Sequence, residues 1–133
     1  MAPMRQAAYG LKAQGQRLRV IAENMANADT TADTPGGTPY QRQISTFRNV
    51  LDRVSGMRHV EFGGVRTDTT DFQKRYQPGH PAADKDGYVL MPNVQPLVEM
   101  MDMREAQRSY EANLNIVDAV KQVVRQTLDV LRG

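Results

Sequence analysis

The side chains that most often bind metals or act in catalysis are scarce in this chain. Its two histidines are His59 and His80, and no glutamate pattern of the His-Glu-x-x-His kind joins them. That pattern places two histidines one helical turn apart so that both reach one zinc ion. Here His59 falls in a predicted strand and His80 in a proline-flanked turn. We therefore predict that neither histidine binds a metal or takes part in catalysis.

Asp84, Asp86 and Gly87 resemble the start of an oxygen-rich calcium loop. Such a loop needs acidic or amide groups at its first, third and fifth positions, a glycine at the sixth and a glutamate at the twelfth. Counted from Asp84, the fifth position is Tyr88 and the sixth is Val89. The pattern fails, and we interpret the segment as a turn.

Other catalytic and cofactor motifs are missing from the sequence. There is no cysteine, which excludes disulfides, cysteine-ligated zinc and thiol catalysis. The glycine pairs at 36–37 and 63–64 are not followed by the Gly-Lys-Ser/Thr of a phosphate loop. No Gly-x-Ser-x-Gly nucleophile motif occurs either. We predict no catalytic residue, no cofactor and no metal, and hence no enzyme activity.

The charge of the chain is only mildly basic, with a formal net charge of +2 and a pI near 9.1. A nucleic-acid binder usually concentrates basic charge on one face, and we interpret the arginines of the first 28 residues as the solvated side of a helix. No apolar run reaches the roughly 18 residues of a transmembrane helix. The first fifteen residues also lack a secretory signal pattern. The sequence predicts neither a nucleic-acid partner nor a direct membrane span.

The elements that must position any functional residue begin with the last third of the chain. No proline or glycine interrupts residues 97–131, and apolar residues recur there every seven positions. A seven-residue repeat places its side chains on one helical face that suits pairing with another helix. The repeat is formed by Met103, Tyr110, Val117, Val124 and Leu131.

Residues 3–28 have the same seven-residue period, so the two segments are predicted to pair as helices. Their repeat is formed by Met4, Leu11, Leu18 and Met25. Beside the C-terminal repeat lies a second apolar row of Ile116, Val123 and Val130. Together the two rows are wider than one partner helix needs. We hypothesise that the second row contacts other subunits in a propagating, heterologous assembly.

A small β-rich insert is predicted between the helices. Residues 40–47 fit a short strand, and the alternation on both sides of Gly63-Gly64 predicts a hairpin with these glycines as its two-residue turn. Residues 71–86 are polar and turn-rich, and residues 88–90 fit another short strand. The predicted fold is mainly α, with long N- and C-terminal helices paired as a coiled coil around a β-hairpin and extended-loop insert.

The predicted domain organisation follows from these elements. Residues 1–28 form the N-terminal helix of a coiled-coil inner domain, residues 29–96 form a β-rich loop or arm, and residues 97–133 form the C-terminal helix of the inner domain. Nine residues are expected to pack between helices or subunits: Leu11, Leu18, Met25, Met103, Tyr110, Val117, Val123, Val124 and Leu131.

Several motifs resemble the rod, hook and other axial proteins of the bacterial flagellum. The segment LKAQGQRLRVIAENMAN at 11–27 is similar to the N-terminal signature of that family, and AQRSYEAN at 106–113 to its C-terminal motif. The segment YQPGHPAAD at 76–84, with the steps at 87–89 and 92–94, resembles the proximal, C-type subunits. The short middle region also distinguishes the chain from the longer distal rod and hook relatives. The motif residues are Asn24, Asn27, Pro78, Gly79, Asp84, Gly87, Asn93 and Asn113.

The resemblance implies a structural subunit of the basal-body rod, which transmits torque for motility, without enzyme activity or cofactor. It implies that the partners are other copies of the chain, other flagellar rod proteins, the flagellar type III export apparatus, and the base and ring proteins of the basal body. It also implies a location in the periplasmic rod, reached without a cleaved signal peptide.

Two other classes of protein remain as alternatives from the sequence. A cytoplasmic coiled-coil adaptor or flagellar export chaperone would be a stably folded soluble dimer, whereas the rod interpretation predicts a monomer with poorly ordered ends. Light scattering and circular dichroism distinguish these two. A small enzyme or nucleic-acid binder would need a polar constellation or a basic face, and the sequence offers neither.

Overall fold

A computed structural model describes residues 2–133. The elements are helix α1 (Ala2–Ala26), strands β1 (Gln43–Leu51), β2 (Arg58–Thr67), β3 (Gln73–Tyr76) and β4 (Tyr88–Met91), and helix α2 (Pro96–Arg132). β1 and β2 form one two-stranded sheet, and β3 and β4 form another. The prediction of a mainly helical chain with a small strand insert is confirmed. Over the described residues, neither helix combines the length and the apolar content needed to cross a membrane.

The ends of the helices follow from local chemistry. Pro96 stands first in α2, where its missing N–H costs no hydrogen bond. Glu99 lies in the first turn, where a carboxylate interacts favourably with the positive end of the helix dipole. At the end of α1, the Asn27 side-chain amide donates to the Glu23 carbonyl at 2.8 Å, and the Thr30 hydroxyl donates to Asn27 Oδ1 at 3.1 Å. These bonds stop the helix two residues before the predicted end.

The chain divides into two compact units, each described here by itself. The first comprises Met1–Leu18, Thr46–Gly64 and Arg104–Gly133, and the second comprises Arg19–Ser45 and Val65–Met103. Helices α1 and α2 both contribute residues to each unit.

In the first unit α1 and α2 contact each other directly. A Cβ atom added to Gly10 would lie 2.7 Å from Nδ2 of Asn113, whereas one added to Gly15 would lie 3.9 Å from Tyr110. Further along, Arg17 forms an ion pair with Glu105 at 3.5 Å. Residue numbers rise along α1 as they fall along α2, so these segments run antiparallel. Glycine at position 10 allows the close approach.

The β1–β2 hairpin of the first unit is docked on the N-terminal half of α1. The rings of Tyr9 and His59 are stacked, with centroids 3.7 Å apart and planes inclined by 9°. His59 is buried, and its Nε2 lies 2.9 Å from a carboxylate oxygen of Glu61. This hydrogen bond holds the pKa of Glu61 below its ordinary value. Arg5 contributes a further ion pair to Asp52, at 2.9 Å.

The second unit has its own small apolar core beneath β3 and β4. The strands are antiparallel, with Gln73 opposite Met91 and Tyr76 opposite Tyr88. Val89 is fully buried and packs with Met91 and Ala82. Along β4 the buried Val89 and Met91 alternate with the exposed Tyr88 and the half-buried Leu90, as expected for a strand with one face on a core.

The predicted hairpin turn at Gly63-Gly64 is wrong. Both glycines lie inside β2, and the turn is formed instead by the loop between Leu51 and Arg58. A Cβ at Gly63 would lie 3.1 Å from Oγ1 of Thr46, so the glycine permits close backbone approach across the sheet. The Thr46 hydroxyl donates to the Gly64 carbonyl at 3.0 Å. Glycine inside a strand often permits such close approach. The alternating sequence pattern is the same whether a glycine has this role or forms a turn.

Two other strand boundaries differ from the prediction. The first strand starts at Gln43, not at residue 40, because Tyr40 and Arg42 are held by hydrogen bonds outside the sheet. Strand β3 falls inside the segment predicted to be only polar and turn-rich. All four of its side chains are exposed. The segment therefore lacks the alternation of apolar and polar residues from which a strand is predicted. The short strand predicted at 88–90 is confirmed and extends to Met91.

Candidate functional site

Asn24 joins the end of α1 to the start of β1. Its side-chain Nδ2 donates to the Gln43 carbonyl at 2.8 Å, and its Oδ1 accepts from the Gln43 N–H at 2.9 Å. The Tyr40 hydroxyl donates to the same Oδ1 at 2.7 Å. The amide therefore occupies the place that a neighbouring strand would take beside Gln43. Because Asn24 is buried, water cannot replace these hydrogen bonds, and their loss would leave the backbone groups of Gln43 without partners.

Asn93 joins the two strands at the base of the hairpin. Its Oδ1 accepts from the Arg42 backbone N–H at 2.7 Å. Its Nδ2 donates to the carbonyls of Asp68 at 3.0 Å and Thr70 at 3.2 Å. The Asp68 N–H also donates to the Arg42 carbonyl at 2.8 Å. One asparagine thus clamps the residue that precedes β1 to the residues that follow β2.

The guanidinium of Arg42 is surrounded by carboxylates. It donates to Glu99, which is fully buried, to Asp68 at 3.2 Å and to Asp102 at 3.4 Å. Hydrogen bonds to Asp68, first from the Thr70 N–H and then from the Thr70 hydroxyl and Arg42, outweigh burial and hold the pKa of Asp68 below its ordinary value. We call Asn24, Arg42, Asp68, Asn93 and Glu99 the hairpin-base cluster.

The hairpin-base cluster connects segments that are distant in the sequence. Arg42 is an obligate cation, and its carboxylate partners hold it by hydrogen bonds from both ends of the guanidinium. Over residues 2–133, no three histidine or acidic side chains converge so that they could hold a metal ion. What the cluster does is fix the base of the hairpin to the first turns of α2 and the last turn of α1.

The turn motif between β3 and β4 has a structural explanation. Asp84 Oδ1 accepts from the N–H groups of Asp86 and Tyr88, both at 2.9 Å, and Gly87 has a φ of 85° that favours glycine. Pro78 and Gly79 are exposed at the surface of the same turn. These contacts agree with the interpretation of the segment as a turn.

His80 ties that turn to the loop after α1. Its Nδ1 accepts from the Ala82 N–H at 2.9 Å. Its Nε2 lies 3.1 Å from the Thr31 hydroxyl. Both ring nitrogens are used in positioning the loops, which is a structural role.

The asparagines at the two helices complete the motif residues. Asn27 caps the end of α1, and Asn113 donates from Nδ2 to the Ser109 carbonyl at 3.0 Å. The Asn113 amide lies against Gly10 on the facing helix. In this position it sets how closely the two helices approach.

The nine predicted packing residues differ in burial. Five are half-buried: Leu11, Leu18, Met25, Met103 and Val117. Four are exposed: Tyr110, Val123, Val124 and Leu131. The fully buried apolar residues of α1 lie beside the predicted repeat, at Ala7, Ala13, Val20 and Ile21.

The C-terminal half of α2 carries a broad exposed apolar surface. Val123 is 54% exposed and Leu131 is 78% exposed. We call this the C-terminal apolar surface, formed by Leu114, Ile116, Val123, Val124, Leu128, Val130 and Leu131. Exposed apolar surface of this extent is typical of an interaction site.

Comparison with known proteins gives consistent matches along the chain. The model of the family described as "Flagella basal body rod protein" matches residues 4–36. The model described as "Flagellar basal body rod FlgEFG protein C-terminal" matches residues 85–130. A protein of Agrobacterium fabrum called flagellar basal-body rod protein FlgC is 49% identical over 127 residues, covering 96% of this chain and 91% of that protein.

The chain belongs to the FlgC family of flagellar basal-body rod proteins. Relatives with the same name from Borreliella burgdorferi and Bacillus subtilis are 36% and 33% identical. They cover 96% and 93% of the chain, and the chain covers 94% and 93% of their lengths. The chain is therefore a structural subunit of the flagellar basal-body rod and not an enzyme, as its sequence predicted.

Within this FlgC-family chain, the sequence motifs identified Asn24 and Asn93 but not the ion-pair network beside them. Arg42 and Asp68 lie between the two segments that the family models match, residues 4–36 and 85–130, and their spacing along the chain follows no recognisable pattern. Glu99 requires a cation or hydrogen-bond donors because its carboxylate is fully buried, but its burial is visible only in the folded chain.

Proposed function

We propose that this subunit belongs to the proximal part of the rod and polymerises through its terminal helices into the axial shaft that transmits torque. The observation that carries the proposal is the C-terminal apolar surface. Val123 is 54% exposed and Val130 is 79% exposed. The α1–α2 contacts of Gly10 with Asn113 and of Arg17 with Glu105 involve residues nearer the start of α2. A surface of this kind needs partners supplied by other subunits.

The inner domain in this proposal consists of residues 1–28 and 97–133, paired as a coiled coil, and residues 29–96 form an arm. The antiparallel contacts of α1 with α2 support the pairing. The hairpin-base cluster supports a firmly held base of the arm, because hydrogen bonds and ion pairs join Arg42 and Gln43 to the end of α1 and the start of α2. A shaft that transmits torque requires such stiffness between its elements.

The partners in this proposal are other copies of the chain, other rod proteins, and the base and ring proteins of the basal body. The rod lies in the periplasm, and the flagellar type III export apparatus delivers the subunit without a cleaved signal peptide. Family membership supports these assignments.

Substitution of Val123 by aspartate tests the proposal. A carboxylate on the C-terminal apolar surface would be buried without a partner in the assembled rod, which is strongly unfavourable. The matched control is Gln122→Asp, which adds the same charge at an exposed position of the polar row beside it. We expect Val123→Asp to block rod formation and motility, and Gln122→Asp to permit both.

Imaging of basal bodies and swimming assays measure the outcome, and the secreted fraction shows whether the variant is exported. Export of a soluble Val123→Asp subunit without rods agrees with the proposal. Normal rods with Val123→Asp contradict polymerisation through this surface. Intact rods in a strain that lacks the gene contradict the assignment to the rod itself.

A further inference from the structure

The tip of the β1–β2 hairpin presents an apolar side chain between two arginines. We call residues 51–58 the hairpin tip. Val54 is 89% exposed, and Leu51 and Met57 are also exposed. Arg53 precedes Val54 and Arg58 follows Met57, and within the described part of the chain no ion pair involves either arginine side chain. An exposed valine between unpaired arginines fits a contact that is both apolar and acidic.

The hairpin tip is held in one shape by its own hydrogen bonds. The Asp52 N–H donates to the Met57 carbonyl, and the Gly56 N–H donates to the Asp52 carbonyl, both at 2.8 Å. Asp52 Oδ1 accepts from the Val54 N–H at 2.9 Å, and its other carboxylate oxygen pairs with Arg5. Gly56 has a φ of 71°, which glycine adopts without strain. A preformed loop loses little conformational entropy when it binds.

The second unit contains a pocket of complementary chemistry, with a volume of about 290 Å³. We call it the acidic pocket. Its lining includes Asp68 and Asp71 together with the apolar side chains of Pro92, Val94 and Val98. Arg42 also lines the pocket, but its guanidinium is already engaged by carboxylates.

The size and charge of the acidic pocket restrict what can bind there. Its volume of about 290 Å³ lies just below the roughly 300–1,000 Å³ found for small-molecule sites, so it fits one or two side chains better than a cofactor. Carboxylates on the wall disfavour a phosphate or another anion. Over the described residues, no group of acidic side chains converges as cation ligands would. An apolar side chain accompanied by a basic one remains the best match.

We propose that the hairpin tip of one copy inserts into the acidic pocket of the next copy. In this contact Val54 packs on Pro92 and Val98, and Arg53 pairs with Asp71. The proposal rests on the proposed function in requiring that copies of the chain be neighbours in the rod. The two surfaces differ from each other, so the contact is heterologous and can propagate from subunit to subunit.

Cysteine cross-linking tests this contact, because the chain has no cysteine of its own. The variant carries Val54→Cys and Gln95→Cys, both at exposed positions, and Gln95 lines the acidic pocket. The control carries Val54→Cys with Lys85→Cys, an exposed residue outside that pocket. Basal bodies that contain each variant are oxidised and run on non-reducing gels. We expect a ladder of cross-linked subunits from the pocket variant and only monomer from the control.

A charge exchange provides a second measurement. Arg53→Glu and Asp71→Arg each place like charges together in every contact, whereas both substitutions in one chain restore opposite charges. We expect each single substitution to lower the cross-linking yield by about fivefold, and the combination to recover most of it.

The outcomes separate the two proposals. If rods contain the chain but the pocket variant cross-links no more than its control, the contact between tip and pocket is refuted while the rod assignment stands. A charge-exchanged chain that cross-links no better than either single variant also refutes it. If the chain is absent from isolated rods, the proposed function itself fails.

Discussion

Gly10 and Gly15 provide a matched pair of glycine-to-alanine substitutions in α1. Both residues lie inside the helix, where alanine is more favourable than glycine by about 0.8–1.0 kcal/mol. Their surroundings differ. A Cβ at Gly15 would lie at ordinary contact distance, 3.9 Å, from Tyr110, whereas a Cβ at Gly10 would meet three atoms of the Asn113 amide at 2.7 to 2.9 Å.

The change in free energy of unfolding for Gly10→Ala depends on how Asn113 can move away from the new methyl group. Asn113 is short, and its Nδ2 is fixed by the hydrogen bond to the Ser109 carbonyl at 3.0 Å. Making room for the new methyl group therefore breaks that bond or separates the helices. Overpacking of this kind costs about 1–3 kcal/mol. After the gain in helix propensity, Gly10→Ala should lower the free energy of unfolding by up to about 2 kcal/mol, while Gly15→Ala should raise it by up to about 1 kcal/mol.

Urea unfolding of the full chain, followed by far-UV circular dichroism, measures both changes. Equal slopes against urea concentration would show that the variants differ in stability and not in the compactness of the unfolded state. The double variant Gly10→Ala with Asn113→Ala removes the obstructing amide. Its loss in free energy of unfolding should therefore be smaller than the sum of the losses in the two single variants. If Gly10→Ala stabilises the chain as much as Gly15→Ala, the close approach of the helices at this residue is refuted.

The hairpin-base cluster gives three further predictions, each measured by urea unfolding. Asn24→Ala should destabilise the chain by about 2–4 kcal/mol, because the backbone groups of Gln43 lose their partners in a buried place; a change below about 0.5 kcal/mol would contradict that role. Glu99→Ala should cost about 3 kcal/mol, because it removes the buried partner of Arg42, and an unchanged midpoint would show that the pair contributes nothing. The lowered pKa of Asp68 means that its contribution is present above its ordinary value near 3.8 and is lost as the pH falls through the lowered value. Asp68→Asn should therefore unfold with a weaker acid dependence below pH 4, and identical pH profiles would refute this assignment.

The helices were predictable because their signals are repeated many times. Each turn of α2 offers another apolar residue on the same face, and no proline or glycine interrupts residues 97–131. The predicted ends therefore fall within one residue of Pro96 and Arg132. Repetition also identified the second apolar row, since Val123 and Val130 are seven residues apart.

The arm was less predictable because its stabilising contacts join residues that are distant in the sequence. Arg42 and Glu99 are 57 residues apart, and Asn93 reaches back to Arg42 across 51. Sequence patterns over a few neighbouring residues do not predict contacts between such distant residues. Gly63 is ambiguous in a different way, since a glycine needed for close approach to Thr46 looks the same in sequence as a glycine needed for a turn.

The clamp formed by Asn93 has a consequence for the order in which the chain can fold. The base of the hairpin comes from residues 42 and 68, but the amide that joins them lies at residue 93. Until that residue is present, the Arg42 N–H lacks its partner, and closing so long a loop is a slow step. The arm should therefore reach its final structure only after the segment just before α2, which contains Asn93, is available to bind Arg42. A chain that emerges with its N-terminus first would keep the hairpin unfinished until most of its length is free.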